Sequence, residues 1–296
     1  MQLNPAQLGD ASTNNTIAKL IEQSLTPHIY WSAHSSGNCI STEWRVLPFM
    51  VLLSVREGEY RCVLDNTEKR ELRAGAGSTL LIPAGLCHRL IVDQATVADG
   101  LHIHFTLFHN LDVFSFYELP VIITADKSAG IATCVNELTA CLADCEQTFS
   151  ISRIALKRSA SFRLFYEIIM VSHPVVDTEF RFLQLNRILP ALKVIESNLD
   201  GGVKVEALAT ACGLSRNAFS RLFKQITGAS PLRFVNRKRL ELAMSKLVYG
   251  DLPISEIARS VGFCDQFHFS KTFRAETGES PSQYRDSIRM SLPHKI

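Results

Sequence analysis

The rhythm of apolar and polar positions changes along this chain, and each change marks a different kind of element. Over residues 44–124 the apolar positions come in short runs, Phe49–Val55, Tyr60–Leu64, Ser78–Ile82, Arg89–Val92, Leu101–Phe108 and Val121–Thr124, cut by Glu-Gly, Asp-Asn, Ala-Gly-Ala-Gly and Pro-Ala-Gly turns. Short runs separated by such turns predict a sandwich or barrel. From Ser128 the spacing lengthens to three and four residues. Ile131, Val135, Leu138 and Leu142 form one helical stripe, and Ile154, Phe162, Phe165 and Ile169 form another. With a break at Asp144–Ser152, the two read as a helical hairpin on the strands, its apolar stripes either buried within the chain or left for a second copy. Residues 1 to about 40 have weak periodicity and read as an arm plus an entry strand. His173-Pro174 to about Phe182 reads as a linker. Beyond it the pattern is helical throughout, with a first helix over Leu185–Ser197 and a long one over Pro231–Val248. The long helix is entered by Ser-Pro, and proline is well tolerated in a first helical turn.

Two stretches of the helical third repeat one another. Val205 to Pro231 and Ile254 to Pro281 each read as two helices joined by a glycine-containing turn. Phe219 pairs with Phe269, Phe223 with Phe273, Gly228 with Gly278 and Pro231 with Pro281, all fifty positions apart. Such a unit can place its second helix in a DNA major groove. In the first unit Leu208, Cys212, Leu214, Phe219, Leu222 and Phe223 are spaced to turn inward. In the second, Ile257, Val261, Phe263, Phe269 and Phe273 do the same. The outward positions are Arg216, Asn217, Ser220, Arg221 and Lys224 in the first unit, and Asp265, Gln266, His268, Lys271 and Arg274 in the second. These are the candidate DNA contacts, since Arg grips guanine and Asn adenine by paired hydrogen bonds, while Lys and Ser more often hold phosphate. The intervening helix of about eighteen residues spans roughly 27 Å. It would set the two recognition helices about 34 Å apart, one turn of duplex.

Charge sharpens this division. Residues 1–184 carry 14 Lys and Arg against 19 Asp and Glu, whereas residues 185–296 carry 17 against 10. A basic C-terminal half suits a phosphate-binding surface. The eight cysteines are scattered without a C-x-x-C pair, so neither a disulfide framework nor a zinc site is expected, and a reducing cytoplasm fits. No opening segment has the form of a secretory signal, and no apolar run is long enough to span a membrane.

Ile254-x-x-Ile-Ala-x-x-Val-Gly-Phe-x-Asp-Gln-x-His-Phe-Ser-x-x-Phe, followed by Gly278-x-Ser-Pro-Ser-Gln-Tyr-Arg285, resembles the DNA-binding domain of the AraC/XylS family of bacterial transcription regulators, and the likeness extends over about one hundred residues. The resemblance implies base contacts from Asn217 and Arg221 in the first recognition helix and from Gln266 and Lys271 in the second. Phe267 departs from the family, where a small or polar residue is usual. The resemblance also implies a homodimer bound to a double-stranded DNA operator, and RNA polymerase as a partner if the protein is an activator.

Gly77-Ser-Thr-Leu-Leu-Ile-Pro83-Ala-Gly85-Leu-Cys-His88 resembles the second cupin motif, which fits a cupin-like sensor of the same family. Metal-binding cupins add an earlier His-x-His and a Glu, and the strands over Phe49–Leu64 hold no such pair, which argues against an enzyme. His102 and His104 alternate on one strand and share a face. With His88 they make either a metal set or one side of a polar pocket, and the pocket is the reading adopted. Arg56 joins it by resemblance to sugar-responsive relatives, and Trp31 and Trp44 are either core or stacking surfaces for a sugar. The expected architecture is therefore α+β in two domains. Residues 1–172 form a cupin-like β-barrel with a helical hairpin at about 128–172, residues 173–183 a linker, and residues 184–296 an all-α double helix-turn-helix. The expected function is a cytoplasmic, non-enzymatic transcription regulator without a cofactor or resident metal, controlled by a small polar, sugar-like effector held by Arg56, His88, His102 and His104. The alternative is a metal-dependent cupin enzyme or metal sensor fused to a DNA-binding domain.

Overall fold

The computed structural model of the chain describes residues 19, 21–36, 41–64, 71–92, 95–143 and 150–291. Most of the expected arm, and residues 144–149 of the expected break, lie outside the described residues. The N-terminal half is built from β1 (Thr26–Ser36), β2 (Met50–Glu57), β3 (Glu59–Leu64), β4 (Glu71–Gly75), β5 (Thr79–Ile82), β6 (His88–Val92), β7 (Val97–Leu107), β8 (Leu111–Asp112), β9 (Tyr117–Glu118) and β10 (Ile122–Ile123). One antiparallel sheet runs β1-β7-β2-β5-β10 with β8 added on β7, and a second runs β4-β3-β6. The expected barrel is thus, among the described residues, an open pair of sheets. The chain passes from one sheet to the other at Gly58 (φ +78°), where a Cβ would come within 2.7 Å of the Thr96 hydroxyl. The bend there carries the chain out of the first sheet, so the consecutive strands β2 and β3 pair with different partners.

Strand β7 lies between β1 and β2 and is buried on both faces from Ala98 to Leu107. Leu101, Ile103, Phe105 and Leu107 face the helical hairpin, formed by α1 (Ala125–Ala143) and α2 (Ile151–Met170). Its even-numbered residues, including His102 and His104, face the opposite way. On α1 the expected stripe is the buried one, through Ile131, Val135 and Leu138. On α2 it is not. Ala160, Leu164 and Ile168 are buried, whereas Ile154 and Phe162 from the expected stripe are exposed.

The segment expected as a linker carries structure of its own. The two-residue strand β11 (His173–Pro174) pairs with β9, and α3 (Thr178–Leu185) follows. The expected helix over Leu185–Ser197 begins later, as α4 (Leu189–Ser197), with Pro190 in its first turn. Proline offers no N–H and crowds the preceding turn, so α3 cannot run on into α4. Then come α5 (Val205–Ala211), α6 (Arg216–Thr227), α7 (Pro231–Tyr249), α8 (Ile254–Ser260), α9 (Gln266–Thr277) and α10 (Pro281–Ser291). Helix α7 has no single apolar stripe because it is shared. Phe234 and Val235 belong to the core of the first unit, and Leu240, Met244 and Leu247 to a core that takes in the second unit together with Leu47 and Phe49 of the strands. The two halves of the chain therefore share apolar cores.

Candidate nucleic-acid interface

Each helix-turn-helix unit is assembled the same way. In the first, α5 and α6 close over Leu208, Phe219 and Phe223; in the second, α8 and α9 close over Ile257, Phe269 and Phe273, and all six side chains are fully buried. Along each recognition helix an i,i+4 aromatic pair, Phe219–Phe223 at 5.3 Å and Phe269–Phe273 at 5.5 Å, packs with tilted rings and turns both rings into the core of the unit. Each recognition helix starts on a side-chain cap. The Ser215 hydroxyl accepts from the Ala218 N–H at 3.3 Å, and the Asp265 carboxylate from the His268 N–H at 2.7 Å. Each ends on a left-handed glycine, Gly228 or Gly278. The turns differ by one residue. Gly213 and Gly262 are forty-nine positions apart while the recognition helices are fifty apart, so Cys264 is an insertion in the second turn.

The residues expected to touch DNA lie on the outer faces of these helices. Arg216, Asn217, Arg221 and Lys224 on α6 are exposed and Ser220 is half-buried. Gln266, His268, Lys271 and Arg274 on α9 are exposed, as is the capping residue Asp265. Three of them, Arg216, Asp265 and His268, have protein partners. Arg216 Nε lies 3.2 Å from Glu206 Oε1, an exposed pair of little energetic weight. The hydrogen bond from the His268 N–H holds the Asp265 carboxyl below its ordinary pKa. Phe267 is 81% exposed, an unusual position for a large aromatic side chain and one that offers an apolar face to whatever the helix meets.

The four residues expected around one sensing pocket occupy three places. His88 and His102 sit in the interior with Arg45, which is itself buried. His88 Nδ1–H donates to the Leu86 carbonyl at 2.9 Å, leaving Nε2 to accept from Arg45 Nε at 3.2 Å. Burial, reinforced by the Arg45 charge, lowers the His88 pKa to about 3. Burial likewise lowers that of His102, which lies against Phe49 at 4.8 Å and Trp31 at 4.6 Å. Both imidazoles are neutral at ordinary pH, and Trp31 is committed to His102. His104 lies farther along β7, facing Asp112 at 3.6 Å. Arg56 stands on the hairpin side of the sheet, its Nε 3.4 Å from the buried carboxylate of Asp99. Among the described residues no group of three or more His, Cys, Asp and Glu side chains is placed to hold a metal ion.

His104 opens instead on a cavity of about 350 Å³ between the two halves. Asp112 joins it from the strands, Arg237, Glu241 and Met244 from α7, and Glu276 from the last turn of α9. The sequence reading missed all five. Nothing in local periodicity distinguishes them, because the cavity exists only once α7 lies against the strands. The spacing of buried Lys238 three positions before Glu241, its ion-pair partner at 2.6 Å, was the one available hint of a polar cluster inside the long helix.

Comparison with known proteins bears on the C-terminal half most directly. Residues 208–287 match a family model described as a helix-turn-helix domain. The raffinose operon transcriptional regulatory protein of Pediococcus pentosaceus is 32% identical over 130 residues, 44% of this chain and 47% of that protein. The arabinose operon regulatory protein of Escherichia coli K12 is 34% identical over 114 residues, 38% of this chain and 36% of that protein. The chain thus spans less than half the length of these relatives. Across both halves the crystal structure of ToxT from Vibrio cholerae O395 is similar, with a TM-score of 0.52 at 13% identity over 90% of this chain and 98% of that one. That likeness concerns the fold alone, and it supports the two-domain α+β arrangement. Among the described residues no helix is long and apolar enough to cross a membrane. Residues 208–287 thus form a helix-turn-helix domain similar to those of transcription regulators such as the raffinose and arabinose operon proteins.

Proposed function

We propose that the chain is a sequence-specific regulator of transcription that binds a double-stranded DNA operator and answers to a small polar effector, a sugar or a close analogue, in the cytoplasm. The observation that carries this reading is the pair of recognition helices α6 and α9, each with an exposed polar face, mounted at the two ends of α7. Nineteen residues of helix measure about 28 Å at 1.5 Å per residue, which suits two major-groove entries about one duplex turn, or about 34 Å, apart. The operons named for the raffinose and arabinose relatives support a sugar as effector. The sensing residues are drawn from Arg56, His88, His102 and His104. The test is selection of random duplexes by the purified protein. Two conserved patches about 10–11 base pairs apart are expected, and retention of duplexes without sequence preference would leave a general DNA-coating protein instead.

The chain acts as a homodimer through α2 in this reading. Ile151, Ile154, Phe162, Tyr166 and Met170 leave an apolar strip on its outer side, with Ile151 74% and Met170 63% exposed, more than a solvated helix face ordinarily shows. Sedimentation equilibrium should give a dimer at micromolar concentration and a monomer for Ile154→Glu combined with Tyr166→Glu. A wild-type monomer would remove the dimer from the proposal. Activation, if that is the outcome at the promoter, would run through contact with RNA polymerase.

A further inference from the structure

The outward faces of the two recognition helices carry matching stripes that differ in kind at one position. On α9, Phe267, Lys271 and Arg274 stand four and then three residues apart and all are exposed, so they line up along one side of the helix. Fifty positions earlier, on α6, the same stripe is Asn217, Arg221 and Lys224, also exposed. The two basic positions keep their charge from one unit to the other. The first position changes from an amide to a phenyl ring, and that ring is 81% exposed. The aromatic core of the second unit is made by Phe263, Phe269 and Phe273, and Phe267 takes no part in it.

An apolar side chain exposed singly on a surface needs no explanation. What distinguishes Phe267 is its place. It stands in the first turn of α9, which the Asp265 cap holds in register through the His268 N–H, and the N-terminal residues of a recognition helix are the ones that meet base edges. A phenyl ring there cannot exchange hydrogen bonds with a base. Against the major-groove edge of guanine or adenine it would strip water from polar atoms and return nothing. Thymine alone among the four bases carries a methyl group on that edge, and an apolar side chain packs on it favourably.

We propose that Phe267 is a specificity-determining residue that reads the 5-methyl group of a thymine in the part of the operator held by α9. This deepens the reading of the chain as a sequence-specific DNA reader and rests on it. Asn217, at the equivalent place on α6, suits adenine instead, by paired hydrogen bonds. The two units therefore ask for different bases from equivalent positions, while Arg221 and Lys271, then Lys224 and Arg274, supply like charge beside them. The operator is a pair of unlike patches rather than a direct repeat, and one chain binds it in one direction only.

The test replaces each thymine of the selected operator in turn with deoxyuridine, which removes the methyl group and leaves every hydrogen-bonding atom of the base in place. With the full-length wild type, one such replacement should lower affinity by about fourfold, the worth of one buried methyl group. Phe267→Ala should bind the thymine and deoxyuridine operators alike at that position, and Phe267→Asn should shift the preferred base there from thymine to adenine. The side chain is exposed, so both variants should melt with wild type, and the deoxyuridine series on wild type needs no variant at all. No sensitive thymine, or a sensitivity that persists in Phe267→Ala, would overturn the inference. So would a loss in Phe267→Ala that is equal on every sequence, which is a contact without specificity, or no loss at all, which would leave the ring to a protein partner. Each of those results leaves the regulator intact. Failure of wild type to select any DNA sequence would instead bring down the regulator reading itself.

Discussion

Arg221 is exposed midway along α6, on the face opposite the buried Phe219 and Phe223. A guanidinium in that place can pair with a guanine edge, so Arg221→Ala should weaken operator binding by about 1–3 kcal/mol and relax preference at one base pair. Affinities for matched and single-site-altered operators decide it, since an equal loss on every sequence would mean phosphate contact only. At the same scale, three histidines make stability depend on pH. Burial lowers the pKa of His28, His88 and His102 in the fold, so the unfolded chain takes up protons that the folded chain refuses. The stabilisation is complete above the unfolded value near 6.5 and is lost as pH falls, for His88 down to about 3. Urea unfolding from pH 7.5 to 4.5 should therefore show falling stability, by up to about 1.4 kcal/mol per pH unit for each proton, and His88→Gln should flatten the slope. A slope indifferent to that substitution would exclude His88 as a source. The pairing of inward and outward residues in the DNA-reading units was legible from spacing. That His88, His102, His104 and Arg56 divide among an interior, a cavity and an opposite sheet face was not, because alternation assigns a face within a strand and says nothing of which other element covers it.

Among the elements, the turn of the second unit is the more constrained. Gly262 has φ +83°, and a Cβ there would run into the Leu199 carbonyl and come within 2.8 Å of the Arg239 guanidinium, which itself holds Leu199 by a 2.8 Å hydrogen bond. Gly213 has φ +64° with nothing within 4 Å. Gly262→Ala should therefore cost more than the left-handed backbone penalty of roughly 1–2 kcal/mol, and Gly213→Ala about that penalty alone. Thermal melts of the two variants measure the difference, and equal losses would show that the Leu199–Arg239 contact yields freely. Helix α2 makes the complementary point. Its sequence offers two overlapping apolar stripes, and the strands took Leu164 and Ile168 while Ile154 and Phe162 stayed outside. Periodicity finds a helix of that kind, but the geometry of the neighbouring sheet chooses its buried side.

At the scale of the molecule, α3 is packed on both halves although its sequence reads as a linker: Phe182 stacks on Phe116 of the strand-rich half at 4.3 Å. Phe182 and Leu185 enter the core of the first unit, and Arg181 Nε donates to the Ile226 carbonyl at 2.7 Å. A fragment of residues 176–296 should fold and bind operator, while one of residues 187–296 should be less stable by several kcal/mol, given about 1.5–3 kcal/mol per large apolar side chain buried. Chemical denaturation compares them, and equal stabilities would make α3 a passive connector. The basic surplus of the C-terminal half predicts that four phosphate contacts would cost the longer fragment on the order of a hundredfold in affinity between 50 and 200 mM salt. Affinity indifferent to salt over that range would rule out phosphate binding as the source of that surplus.

The sequence by itself determined the duplicated units, their inward and outward faces, the strand-rich first half and the hairpin, because each depends on periods of two or three to four residues and on turn chemistry that acts locally. Tertiary structure decided what depends on elements distant in the chain. It arranged the strands as two sheets, chose the buried side of α2, and set α7 against the strands so that a polar cavity formed between His104 and Arg237. Long-range packing is governed by which apolar surfaces can exclude water together, and that choice is made by shape in three dimensions.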